Sequence, residues 1–136
     1  MKKDTDKKMT MQQQKILIVD DDDRNIFALK AVLKSRQFNC VAASGGLQAL
    51  EMLQQNTDVT VALIDMMMPD MDGYELMAII KKIPALNPVL LVAVTAQAMA
   101  GDKEKCIAAG ADDYIVKPVN VDLLLDILNG QVKQQL

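Results

Sequence analysis

Histidine and tryptophan are absent from the 136 residues, and aromatic side chains make up only 3% of them. With so few rings, a core has to be filled by Leu, Ile, Val, Met and Ala, and the hydrophobic fraction of 51% is sufficient for one compact domain. Cys40 and Cys106 are the only cysteines, which excludes a disulfide framework and a paired-thiol metal site. They read as two ordinary thiols of a cytoplasmic protein. No apolar run approaches the ~18 residues that cross a bilayer as a helix. The opening segment MKKDTDKKMTMQQQ also lacks the hydrophobic stretch of a secretory signal. Neither GxxxxGK[ST] nor GxGxxG occurs, which argues against nucleotide binding. A basic stripe is missing too. Residues 1–14 hold four Lys against two Asp, so the rest of the chain, with 11 basic and 16 acidic residues, carries a net charge of −5. An acidic body of this kind is a poor ligand for nucleic acid. Residues 1–14 are expected to be a flexible polar leader, and residues 15–136 a single domain.

From residue 15 onward, apolar runs of strand length alternate with stretches of helical period. The first run is Ile16 to Val19, and Ile26, Leu29 and Leu33 then mark a helix over about residues 24–36. A run from Asn39 to Ala43 precedes a second helical stripe at Leu47, Leu50 and Leu53. Val61 to Ile64 is followed by a helix through Leu76, Ile79, Ile80 and Ile83, stopped by Pro84. Val89 to Val94 leads into a weak, Ala-rich helix at 99–109. Tyr114 to Val116 leads into a last helix carrying Leu124, Ile127 and Leu128. Five strand–helix repeats with short connections require a parallel sheet, because a parallel neighbour is reached only through a crossover. The runs are continuously apolar, as in strands covered on both faces. The predicted fold class is therefore α/β, a doubly wound five-stranded parallel sheet with helices on both faces. Only 19 residues follow Lys117, room for one helix and no output domain, so a stand-alone protein is expected.

Polar residues close these runs at fixed places. Asp20 and Asp21 end the first, Asp65 the third, Thr95 the fourth and Lys117 the fifth. In an open parallel sheet all these ends share one edge, where ligands bind. Converging carboxylates raise one another's pKa unless a cation joins them, and oxygen ligands of this type suit Mg²⁺. Lys117 offers a point charge for a phosphoryl oxygen, and Thr95 a hydroxyl donor. One of the carboxylates would act as nucleophile, giving an aspartyl phosphate.

The strings KILIVDDDD, VALIDMMMPDMDGYEL, VLLVAVTAQAMAGDKEKC and AGADDYIVKPV, in this order, resemble a response-regulator receiver domain of the single-domain, chemotaxis-regulator type. The likeness runs from about Lys15 into the last helix. It implies a flavodoxin-like strand order 2-1-3-4-5, Asp65 as phosphoacceptor, and Asp20 and Asp21 as the acidic pair that holds Mg²⁺. It further implies a metal contact from the backbone carbonyl of Met67, phosphoryl contacts from Thr95 and Lys117, and Tyr114 as an aromatic that moves inward with Thr95. A cis peptide at Lys117–Pro118 follows from the same resemblance. The implied partners are a histidine kinase or a histidine phosphotransfer protein, with a downstream protein on the face of the fourth helix, fifth strand and fifth helix. A monomer that dimerises on phosphorylation is the working expectation.

Several departures and competitors bear on this reading. The acidic pair sits within four aspartates, where Asp22 and Asp23 compete with it; strand phase favours the first two. A Ca²⁺ loop at Asp21, Asp23 and Asn25 fails, because Ile26 takes the glycine position and Val32 the twelfth. Asp70 and Asp72, around Pro69 and Gly73, suit turn and cap roles. Met66, Met67 and Met68 suit packing rather than a soft metal. Met67 cannot orient an attacking water whereas Gln97 could, so a phosphorylated lifetime that is not unusually short is expected. Asp112 and Asp113 are expected to face solvent. Within signalling, the alternative is a receiver segment of a hybrid histidine kinase acting as relay intermediate. Outside it, the alternative is an Asp-nucleophile phosphatase, disfavoured because the nucleophile follows the third run and lacks a DxDx[TV] context. The protein is expected not to be a turnover enzyme.

Overall fold

The computed structural model describes residues 15–96 and 99–135. The leader and Gln97 therefore lie outside the described residues. Five parallel strands, β1 (Lys15–Val19), β2 (Asn39–Ala43), β3 (Val59–Asp65), β4 (Leu90–Thr95) and β5 (Asp113–Val116), form one sheet in the order β2-β1-β3-β4-β5. They alternate with α1 (Asp23–Ser35), α2 (Gly46–Gln55), α3 (Gly73–Lys81), α4 (Asp102–Ala109) and α5 (Val121–Gln135). The expected class and strand order are both present.

Side-chain alternation along the strands divides the core in two. Leu17, Val19, Ala62, Ile64, Leu91 and Ala93 point to one face, where Leu53 of α2, Leu76 and Ile80 of α3 and Cys106 of α4 cover them. Ile16, Ile18, Leu63, Val92 and Val94 point to the other, under Leu33 of α1 and Leu124 and Leu128 of α5. Because both faces are covered, the strands are apolar through their middles rather than alternating, and β1 and β3 are almost wholly buried.

Local chemistry sets the helix starts. Asp22 caps α1 by accepting from the Arg24 N–H at 2.9 Å, and Asp72 caps α3 by accepting from Glu75 N–H at 2.9 Å. Three expectations need correction. Strand β3 begins at Val59, two residues before the apolar run read from the sequence. Helix α3 ends at Lys81, short of Ile83: the following Pro84 holds Ile83 extended (φ −102°, ψ 106°), and Pro84–Leu86 form a 3-10 turn. Ile83 still packs on the core from outside the helix. Helix α4 begins at Asp102, not 99, because Gly101 at φ +90° precedes it. Asp112 is exposed as expected, yet its carboxylate accepts from Leu91 N–H at 2.8 Å and so ties β5 to β4.

Candidate functional site

The strand register brings the polar run-ends together. Val19 lies opposite Ile64, so Asp20 and Asp65 leave the sheet side by side. The ladder continues one step past the strands, with Met66 N–H donating to Val94 O at 3.0 Å and Lys117 N–H to Thr95 O at 2.7 Å. Among the described residues, Asp20, Asp65 and Thr95 are the buried polar side chains, at 5–6% exposure, and all three stand at this edge. Asp21 is exposed, but its carboxylate joins those of Asp20 and Asp65 with all ligand atoms within 4.8 Å of one another.

Each buried carboxylate is held from more than one side. Asp20 accepts from Asp22 N–H at 2.9 Å and from the Asn25 side-chain amide at 3.3 Å. Asp65 accepts from Met67 N–H at 3.1 Å. Lys117 Nζ stands between the two, 3.4 Å from Asp20 and 3.5 Å from Asp65. One lysine, paired with two of three clustered carboxylates, leaves the cluster with an excess of negative charge. Burial raises the Asp65 carboxyl above the usual carboxylate range; the Met67 N–H and Lys117 oppose that rise and the neighbouring Asp20 adds to it. Such a constellation is short of positive charge and rich in oxygen donors, which is the donor set a hard divalent cation takes.

The run of four aspartates is thereby divided by role. Asp20 and Asp21 belong to the cluster, Asp22 is the helix cap, and Asp23 sits exposed in the first turn of α1. Asp72 caps α3, and Asp70 adopts a left-handed turn at φ +68°, so neither joins the cluster. Met66 and Met68 are buried, whereas Met67 is 60% exposed, so packing does not account for the middle methionine. Tyr114 is half-buried on β5, packs on the face that carries α3 and α4, and pairs in register with Ala93, two residues before Thr95. The Lys117–Pro118 peptide is cis. Asn25 is the site residue that sequence reasoning placed only in a rejected Ca²⁺ loop. Its spacing, five residues past Asp20 and in the first turn of the next helix, is the signal that would have found it.

Residues 16–129 match the family model described as the response regulator receiver domain. The chain belongs to this family. As a receiver it is 36% identical, over 88% of its length, to hybrid signal transduction histidine kinase I of Dictyostelium discoideum, covering 7% of that protein. It is 46% identical, over 80% of its length, to a cyclic di-GMP phosphodiesterase of Thermotoga maritima, covering 28% of that one. The receiver thus spans under a third of either relative. Among solved structures it superimposes on the receiver domain of the Francisella response regulator 1452 with a TM-score of 0.81 at 28% identity, covering 90% of this chain and 99% of the other. The Saccharomyces cerevisiae complex of the histidine phosphotransfer protein Ypd1 with the receiver domain of Ssk1 is matched with a TM-score of 0.82 at 26% identity, over 90% of each chain.

Proposed function

We propose that this receiver takes a phosphoryl group from a phosphohistidine onto Asp65 and passes the signal on through a partner-binding surface. The observation that carries this reading is the buried Asp65 carboxylate, gathered with Asp20 and Asp21 within 4.8 Å and faced by Lys117 at 3.5 Å. Asp65 attacks the phosphorus, the N–P bond of the donor breaks, and neutral imidazole leaves. Lys117 neutralises charge on the phosphoryl oxygens, and the Asp65 oxygen held by the Met67 N–H keeps the carboxylate oriented. Asp20, Asp21 and Asp65, with the Met67 carbonyl, would hold Mg²⁺, which supplies further neutralisation of the transferring group when bound. Thr95, buried at the end of β4, contacts the phosphoryl group by its hydroxyl, and Tyr114 follows it inward. The new charge of nearly −2 then biases the α4–β5–α5 face toward a downstream protein.

Donors of this reading are a histidine kinase or a histidine phosphotransfer protein, the latter supported by the Ypd1 complex of a homologous receiver. Likeness to a hybrid kinase also supports a second reading, in which this receiver is a relay intermediate. The protein is not a turnover enzyme under either. No helix among the described residues is long and apolar enough to cross a membrane. Incubation with Mg²⁺ and acetyl phosphate, read by intact mass, is expected to add one phosphoryl group to the wild type and none to Asp65→Asn, with EDTA abolishing the label. Equal labelling of both proteins would remove Asp65 as acceptor. Gel filtration with a phosphoryl mimic tests whether phosphorylation converts monomer to dimer.

A further inference from the structure

The chain is acidic as a whole, yet residues 24–50 hold Arg24, Lys30, Lys34 and Arg36 and no acidic residue. Arg24 pairs with Asp22 in the helix cap. Lys30 and Lys34 stand exposed one turn apart on α1, and no carboxylate among the described residues pairs with either. With Ala31 and Phe27, which is 76% exposed, they form one wall of a groove of about 600 Å³. Phe38, just before β2, and Cys40 within it form the other wall. Asn25, Ala28 and Val32, which line the cleft over the acceptor, lie on the opposite flank of α1. The groove is therefore separate from the carboxylate cluster. It borders the outer edge of β2, which ends the sheet and among the described residues pairs with β1 alone. Sheet edges are normally guarded by charge, proline or a bulge. The opposite edge follows that rule: β5 opens on Asp113 and is followed at once by Lys117 and Pro118. With the sequence NCVAA and an unshifted register on β1, β2 has none of these guards.

We propose that the β2 edge and the α1 groove form a docking site for an extended acidic segment of a partner protein, which adds to the sheet as a further strand. In strand addition the main chain supplies hydrogen bonds and alternate side chains supply specificity. Residues two apart on a strand are separated by about 6.6 Å. That nearly equals the roughly 6 Å between positions i and i+4 on a helix, so two alternate carboxylates meet Lys30 and Lys34 together. An apolar side chain next in the alternation covers Phe27. A second copy of this chain would bring its own lysines against these, and residues 1–14, with four Lys against two Asp, also have the wrong sign. Two lysines on an acidic body are too few phosphate contacts for nucleic acid.

The probe is a fluorescein-labelled peptide with two copies of Leu-Thr-Glu-Thr-Glu, set beside its Leu-Thr-Lys-Thr-Lys counterpart and read by anisotropy. The wild type is expected to bind the acidic peptide and not the basic one. Lys30→Glu combined with Lys34→Glu is expected to weaken the acidic peptide roughly tenfold and to gain the basic one, since exposed ion pairs are each worth up to a few-fold. Both positions are solvent-facing, and an unchanged urea midpoint checks that the double variant folds. In amide NMR the acidic peptide is expected to shift Cys40 to Ala43, in wild type and Asp65→Asn alike. Shifts centred on Lys117 overturn the proposal, as do binding of neither peptide, equal binding of both, or an affinity unchanged in the double variant. An unphosphorylated wild type that is a dimer in gel filtration, dissociated by Phe27→Ser, gives the groove to a second copy and also overturns it. Displacement of the peptide by a single-stranded oligonucleotide of higher affinity gives it to nucleic acid, with the same consequence.

Discussion

At the scale of single residues, the site depends on close approach as much as on charge. Gly73 opens α3, and its backbone lies against the turn that follows the acceptor. A Cβ placed there would stand 2.5 Å from Met66 Sδ, 2.7 Å from Met66 Cα and 2.9 Å from Asp65 O. Two of those three neighbours are backbone atoms, so a side chain cannot be absorbed by a rotamer change. Gly73→Ala therefore has to push α3 off the end of β3, straining the Gly73 N–H to Met66 O bond of 3.2 Å and the Met67 N–H that orients Asp65. The expected loss is about 1–3 kcal/mol of stability with slower labelling of Asp65, since overpacking costs in that range. Urea unfolding alongside the mass assay checks both; an unchanged midpoint and rate would show that the turn yields freely. The same residue explains part of what the sequence conceals. A glycine after an aspartate reads as turn chemistry, and nothing in one sequence says that the glycine is there for space.

At the scale of elements, α4 differs from its neighbours. It is eight residues long, buries only Cys106, and takes Gly101 where a capping side chain would stand. Helix α3, by contrast, buries Gly73, Leu76, Met77 and Ile80 and has its Asp72 cap. What ties α4 down is local: Cys106 Sγ lies 3.9 Å from Tyr74 Oη, and Lys105 Nζ sits 4.9 Å over the Tyr74 ring. With so little buried apolar area, α4 should open more readily than α3. Hydrogen–deuterium exchange read by mass spectrometry is expected to show α4 amides exchanging faster than those of α3, and Tyr74→Phe is expected to widen the gap. Equal protection would contradict the reading. The elements were legible in the sequence wherever the pattern was dense: β2 came out at Asn39–Ala43, and α1 within one residue of its bounds. They blurred where local chemistry overrode the pattern. Ile83 keeps the helical period but is held extended by Pro84, and residues 99–101, counted with the Ala-rich stretch, precede the helix.

At the scale of the molecule, the parallel sheet converts distant sequence positions into one electrostatic object. The strand ends were legible because polar residues interrupt apolar runs abruptly, and the topology does the rest; Asp20, Asp65, Thr95 and Lys117 could be named before any coordinates. How the charges balance was not legible, since Asn25, the exposed reach of Asp21 and the position of Lys117 between two carboxylates depend on side-chain geometry. That balance has a consequence for stability. Burial raises the Asp65 carboxyl, so the folded protein binds that proton more tightly than the unfolded chain does. The resulting stability is present at low pH and is lost as pH rises from the ordinary carboxylate value through the raised one. In metal-free buffer, Asp65→Asn should therefore melt higher than the wild type near neutrality, by a few degrees, with the advantage shrinking toward about pH 4. Lys117→Ala should do the reverse, because it leaves Asp20 and Asp65 without their cation. Mg²⁺ should invert the order. At a hundredfold excess over Kd it adds about 2.7 kcal/mol to a protein that binds it only when folded. That gain should be greatest in Lys117→Ala, where no lysine competes for Asp20 and Asp65, and smallest in Asp65→Asn. Melting curves of the three proteins with EDTA and with Mg²⁺ decide the matter. An equal Mg²⁺ shift in wild type and Asp65→Asn would remove Asp65 from the ligand set, whereas a smaller shift in Lys117→Ala would mean that the lysine helps to build the metal site instead of competing for it.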